Sequence, residues 1–246
     1  MFNKVTLLFI TICSTLFSQE IDLNKYEASI YSQNGEDGVL AGIFTMIGVS
    51  SKFCVELGAG DGMRDSNTCL LRKQGWNCLL LDRAFENPPL HLHKAFITAE
   101  NVGDLFNLYK IPLNLDLLSI DLRYNDYYVW QALDLKYQPR VVVIHYNSSH
   151  LPDQDKVVKY RPYFAGDDTV YFGASILALY KLGRAKGYSL IYAEQTGRAL
   201  FFIRDDILED KNLLFKNVND VQALYRNSLT SWNEDLKNRE WVSSEN

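Results

Sequence analysis

Residues 53–62 read Phe-Cys-Val-Glu-Leu-Gly-Ala-Gly-Asp-Gly, and no other stretch of the chain limits its fold as much. An apolar run, Phe53–Leu57, carries one acid, Glu56, and passes straight into glycines at 58, 60 and 62, with Asp61 inside the turn. A polar helix start follows at residues 64–67. This is the strand–turn–helix opening of an open α/β sheet, where backbone must approach a ligand and a Cβ would block it. A dinucleotide-binding turn spaces its glycines as G-x-G-x-x-G and holds phosphate on the helix N-terminus. Here the third glycine comes one residue early and position 63 is Met. Glu56 beside the turn would repel a pyrophosphate and suits a cationic ligand instead. Met63 and Glu56 together argue against nicotinamide chemistry.

Strand and helix patterns alternate through the rest of the chain, as in a doubly wound sheet. The periodicity predicts a helix over 35–47, with Val39, Leu40, Ile43, Phe44 and Ile47 on one face, Asn34 as N-cap and Gly48 as stop. Strands are predicted at 53–58, 78–82, 95–99, 115–121 and 140–146. Helices are predicted at 66–74, 103–110, 126–135 and 173–186. The continuous apolar run at 140–146 is that of a central parallel strand buried on both faces. Segments 189–193 and 199–204 flank Thr196-Gly197-Arg198 and read as a closing antiparallel hairpin. The expected organisation is one α/β domain over 30–207 and a peripheral helical segment over 208–246.

With 246 residues, 47% of them hydrophobic, the chain can bury a full core. A net charge of −5 without a basic block argues against nucleic acid as a partner. Residues 5–17 are apolar and turn polar at Ser18. That length matches the core of a secretion signal and is short for a membrane span, so residues 1–18 read as a signal peptide or an anchor, with a buried N-terminal helix as the alternative. Export or membrane association therefore hinges on residues 5–17. No C-x-x-C spacing occurs, so Cys54, Cys69 and Cys78 read as buried apolar residues.

Ligands of open α/β sheets bind beyond the carboxyl ends of the strands, so strand ends supply the candidate site. The first ends at Glu56, Gly58, Gly60 and Asp61, and the second at Asp82, 22 residues beyond Gly60 and spaced to accept ribose hydroxyls. The third ends at Glu100 and Asn101, within reach of an adenine edge. The fourth ends at Asp121 and the fifth at His145 and Asn147. Asp121, His145 and Asn147 read as a cluster with three open roles: a general base at His145 oriented by a carboxylate, a divalent-metal site, or hydrogen bonds to the following loop. That loop, 147–169, is long enough to cover a site. It holds Tyr160, Tyr163 and Phe164, which either meet a substrate or pack on one another. His91, His93 and His150 fall in loop-like segments and read as solvated.

Taken together, these features resemble FkbM-type class I S-adenosylmethionine-dependent methyltransferases. The resemblance runs over about 31–204. It rests on Ser32-Gln33-Asn34-Gly35-Glu36-Asp37-Gly38, the turn at 55–62, Asn67-Thr68, Gly75-Trp76, residues 116–121, Asn125-Asp126-Tyr127, residues 141–147, Gly183 and Lys186-Gly187-Tyr188. It implies a Rossmann-like class I methyltransferase fold: a mostly parallel seven-stranded sheet with a C-terminal antiparallel hairpin. It implies S-adenosyl-L-methionine as cofactor, bound by Glu56, Gly58, Gly60, Asp61, Asp82, Glu100, Asn101 and Asp121. It also implies O-methyl transfer to a hydroxyl of a glycan or small metabolite, with Asp121, His145 and Asn147 at the transfer site. The chain departs from the family at Arg123, Tyr124 and His145, where relatives carry Asp, Gly and Glu. Losing two carboxylates counts against a metal. It leaves an exported methyltransferase-fold binding protein as the alternative to an enzyme.

Overall fold

The computed structural model describes residues 20–227 and 233–245. Its strands are β1 (Phe53–Leu57), β2 (Asn77–Asp82), β3 (Leu92–Lys94), β4 (Leu117–Ile120), β5 (Val141–His145), β6 (Val157–Val158), β7 (Tyr188–Ala193), β8 (Ala199–Arg204) and β9 (Trp241–Val242). Seven of them form one sheet in the order β3-β2-β1-β4-β5-β8-β7, and β6 pairs with β9 in a separate two-stranded sheet. From β3 to β5 every pairing is parallel, while β8 runs antiparallel to both β5 and β7. This is a Rossmann-like α/β architecture closed by an antiparallel hairpin. Its chain order reverses between β1 and β4, which opens a crevice at their carboxyl ends.

Helices α1 (Glu36–Ile47), α2 (Cys69–Lys73), α3 (Val102–Leu108), α4 (Asp126–Ala132), α5 (Ile176–Ala185), α6 (Asp205–Lys211) and α7 (Val221–Leu224) complete the elements. Successive strand residues face opposite sides of the sheet. Leu118 and Val142 therefore join Phe106, Trp130 and Leu179 on one face. Leu117 and Val141 join Val39, Ile43 and Phe201 on the other. Asp116 ties the bottom of the sheet together. Its buried carboxylate accepts from the backbone amides of Ser50, Ser51 and Lys52 at 2.7–3.1 Å and from Arg140 at 2.9 Å.

Four expectations change. The third strand lies at Leu92–Lys94 rather than 95–99, because Leu92 is the buried residue that pairs with Leu80. His93 is thus a strand residue. Among the described residues the C-terminal part is helical only at α6 and α7. Residues 233–245 form an extended strap, because β9 satisfies the backbone of β6 while Trp241 packs on Tyr171 and His150. Cys54 and Cys78 are joined as a disulfide. Sequence spacing hides this pairing, since strand register is what brings the two residues face to face. Cys69 is free and buried. The denatured, unreduced chain should therefore titrate with two fewer thiols than the reduced one; equal counts would contradict the pairing.

The signal-like segment 1–18 lies outside the described residues. Among the described residues no helix is long and apolar enough to cross a membrane.

Candidate functional site

The glycine turn sits where β1 meets the crevice. Gly58 has φ +86, and a Cβ there would overlap the carbonyl of Asp121 at the end of β4. The Gly58 and Ala59 amides donate to the Leu81 carbonyl at 2.8 and 3.1 Å, which binds the turn to β2. Gly60 has φ +54, and its Cβ position meets open space. One glycine thus serves close packing of the sheet, and the other keeps a surface clear.

A cavity of about 370 Å³ opens over this turn. Gly58, Gly60, Asp82 and Asp121 line it, with Phe85, Phe96, Ile97 and Phe164 as apolar walls. Asp82 is 8% exposed. Its Oδ2 accepts from the Gly60 amide at 2.9 Å, and its Oδ1 accepts from Ala84 and Phe85 at 2.7 and 3.2 Å. A carboxylate offers about four lone-pair sites. Three are taken, and one remains for a ligand hydroxyl.

Other residues singled out from the sequence lie off the cavity wall. Glu56 is buried, and its carboxylate accepts from Ser66 Oγ, the Asn67 amide and Thr68 Oγ1 at 2.6–2.8 Å. Burial raises its pKa, and these hydrogen bonds only partly offset that. Glu56 therefore shapes the segment leading into α2. Asp61 caps its own turn by accepting from the Met63 and Arg64 amides, both at 2.8 Å. Glu100 is exposed and accepts from the Tyr160 hydroxyl at 2.6 Å. Asn101 braces its own loop through the Thr98 amide and the Phe96 carbonyl, both at 2.8 Å. Phe96 and Ile97 face the cavity in their place. The earlier position of β3 accounts for that offset.

Asp121 lines the cavity and pairs with His145, which lies off its wall and lines a small neighbouring pocket with Arg123, Asp168 and Phe172. His145 Nδ1 stands 3.3 Å from Asp121 Oδ1, and the Asp121 side chain is 46% exposed. The imidazole lies buried and stacked on Phe172, with ring centroids 5.6 Å apart. Desolvation raises the Asp121 carboxyl, but the charge and hydrogen bond of His145 outweigh it and hold the pKa at about 2. The same pair raises His145 above its ordinary value, against the opposing effect of burial. Asp126 is buried behind them. Desolvation and the Asp121 charge lift its carboxyl to about 7. Its Oδ1 accepts from the Leu122 amide at 2.8 Å, which fixes the loop that carries Asp121. With Nδ1 turned to Asp121, the other ring nitrogen of His145 is left to accept a proton.

Asn147 takes a different place. It is fully buried, donates to the Val170 and Phe172 carbonyls at 2.8 Å, and accepts from Ser149. It pins the returning end of loop 147–172 and leaves His145 alone with Asp121. Among the described residues no group of three or more His, Cys, Asp or Glu is arranged to hold a metal ion.

The loop roofs the site. Phe164 comes from it, and Arg123, at φ +66, pairs with Asp168 across the mouth. Tyr124 is buried under the roof, stacks edge-on against Phe164 at 4.7 Å and donates to the Lys159 carbonyl at 2.9 Å. Asn125 donates to the Arg161 carbonyl at 2.7 Å. From above, Arg239 of the strap bonds Asp167 and Asp235 at 3.0 Å and lies over the Tyr171 ring. Phe164 thus serves both roof packing and cavity wall, while Tyr124 serves the roof alone. A pattern search cannot separate those roles.

A scan against protein-family models finds no match, and a search of curated proteins finds none either.

Proposed function

We propose that this chain is an S-adenosylmethionine-dependent methyltransferase acting on a hydroxyl of a glycan or small metabolite. The observation that carries the proposal is the pair of acids beside the glycine turn. Two carboxylates, Asp82 and Asp121, face one space with the turn between them; Arg83 and Arg123 also line that space, Arg83 exposed and Arg123 paired with Asp168. Acids at the turn itself, where a dinucleotide fold seats its pyrophosphate, disfavour that group. A nucleoside with a cationic tail fits, because Asp82 has one acceptor site open for a ribose hydroxyl and Asp121 stays anionic at neutral pH. Phe85, Phe96 and Ile97 supply apolar surface for a flat base. The antiparallel strand inserted next to β5 supports the methyltransferase class, since a plain dinucleotide fold lacks it. S-adenosylmethionine would supply the methyl group. The chain's own part is to seat the acceptor oxygen in line with it and to take its proton at His145.

Incubation with labelled S-adenosylmethionine and a panel of hydroxyl-bearing sugars and metabolites tests this. Label should pass to an acceptor and depend on His145. Binding without transfer to any acceptor would favour the second reading, an exported binding protein that has kept the fold. The disulfide supports that second reading, since such bonds persist in oxidising compartments while the cofactor is made in the cytoplasm.

A further inference from the structure

A second cavity, of about 470 Å³, opens at the edge of the sheet where β3 ends the strand order. It lies over the start of β1 and β2 and the C-terminal end of α2, away from the carboxyl-end crevice. Its walls combine cations and rings. Arg72 and Lys73 project from the last turn of α2, His91 precedes β3 and His93 lies within it, and Trp76 and Tyr109 add aromatic surface. The His93 and Tyr109 rings lie against each other with centroids 4.6 Å apart. No Asp or Glu lines this space, although the chain as a whole carries a net charge of −5.

The cations are incompletely used. Lys73 is exposed and has no hydrogen-bond or ion-pair partner among the described residues. Arg72 spends one terminal nitrogen on the Gly62 carbonyl and Ser66, and buried Glu56 lies behind it. Its Nε is buried and has no hydrogen-bond partner among the described residues. A pocket with Arg72 and an unpaired Lys73 on its wall, no acid on that wall and rings around it, is what an anion attached to a ring would fill. The anion takes charge-assisted hydrogen bonds from Lys and Arg, and the ring takes the aromatic faces. A free inorganic anion would use only half of the wall, and a neutral ring the other half.

We propose that this cavity is a second small-molecule site, selective for a ring compound that carries a phosphate or carboxylate. It does not depend on what the carboxyl-end cavity binds. Arg72 connects the two regions physically, since the group that would meet the anion also holds the carbonyl of Gly62 in the glycine turn.

The test is a titration of the purified chain at low salt, followed by calorimetry or ligand-observed NMR. Four probes are used: phenyl phosphate, benzoate, benzyl alcohol and inorganic phosphate. At least one of the first two should bind at least about tenfold more tightly than both of the others, and comparing those two tells which anion the site takes. Lys73→Glu and Asn77→Asp both change exposed residues at the cavity wall, so the fold should survive them. Each should weaken binding of the preferred probe about tenfold, Lys73→Glu by losing a charge-assisted bond and Asn77→Asp by setting a like charge beside the anion. Four results would overturn the proposal: no binding of either ring anion, equal binding of benzyl alcohol, equal binding of inorganic phosphate, or binding that survives both substitutions.

Discussion

Gly58→Ala is expected to cost the chain most or all of its fold, while Gly60→Ala two residues away leaves it folded. Both positions have positive φ, so each substitution carries a left-handed backbone penalty of roughly 1–2 kcal/mol. The difference lies in what the new Cβ meets. At Gly58 it would overlap the carbonyl of Asp121, and that carbonyl belongs to the β4 end bonded to β1 through the Asp121 amide and the Leu57 carbonyl at 2.9 Å. Neither strand can retreat without parting the centre of the sheet. A loss of about 4 kcal/mol or more follows, a size reserved for backbone conflict and buried disruption. Small domains hold only roughly 5–15 kcal/mol in total. At Gly60 the Cβ enters open space over the cavity floor, so ligand binding should suffer and the melting transition should fall by only roughly 2–8 °C, the backbone penalty alone. Thermal unfolding of the two variants decides the point. A folded, cooperatively melting Gly58→Ala would mean that the β1–β4 junction is looser than described.

His145→Ala should lower methyl transfer by roughly 10²–10⁴, the range for removing a positioned general base. The pH profile separates this role from a packing role. Asp121 raises the His145 pKa, so the neutral base form accumulates only above the ordinary value of 6.5. Activity should rise with pH through a midpoint above 6.5. Asp121→Asn removes the raising charge while burial, which lowers the pKa, stays, so that midpoint should move down. If His145 only fills space beside Phe172, His145→Ala would act through packing, and the Asp121→Asn profile would keep its midpoint. An unmoved midpoint would therefore count against His145 as the base.

Much of this arrangement could be read from residues alone, and the failures share one cause. The glycine turn, the acid at the end of β2 and the long apolar β5 are local patterns. Each announces its element because its physical demand is met within a few residues. Glu56, Asn101 and Asn147 are polar residues at strand ends too, yet they turn away from the cavity. Their carboxylates and amides are consumed by nearby backbone and hydroxyl groups. Whether a polar side chain faces a ligand or braces a loop depends on loop paths, and those are set by tertiary contacts. The same holds for Cys54 and Cys78, whose meeting depends on strand register, and for Asn125 and Phe164, which reach the cavity only once the roof folds back. Tyr124, which the sequence marks only as a departure from the resembled motif, is likewise a ring that carries the roof.

The central claim is that the carboxyl-end cavity binds a nucleoside with a cationic tail through Asp82. Calorimetric titration with S-adenosylmethionine, in the wild type and in Asp82→Ala, tests it most directly. The wild type should bind, and Asp82→Ala should bind at least about tenfold more weakly, since it loses a hydrogen bond to a charged acceptor worth roughly 1.5–3 kcal/mol. Circular dichroism of the variant should match the wild type, which separates this loss from misfolding. No heat of binding in the wild type, or equal affinity in a folded Asp82→Ala, would contradict the account.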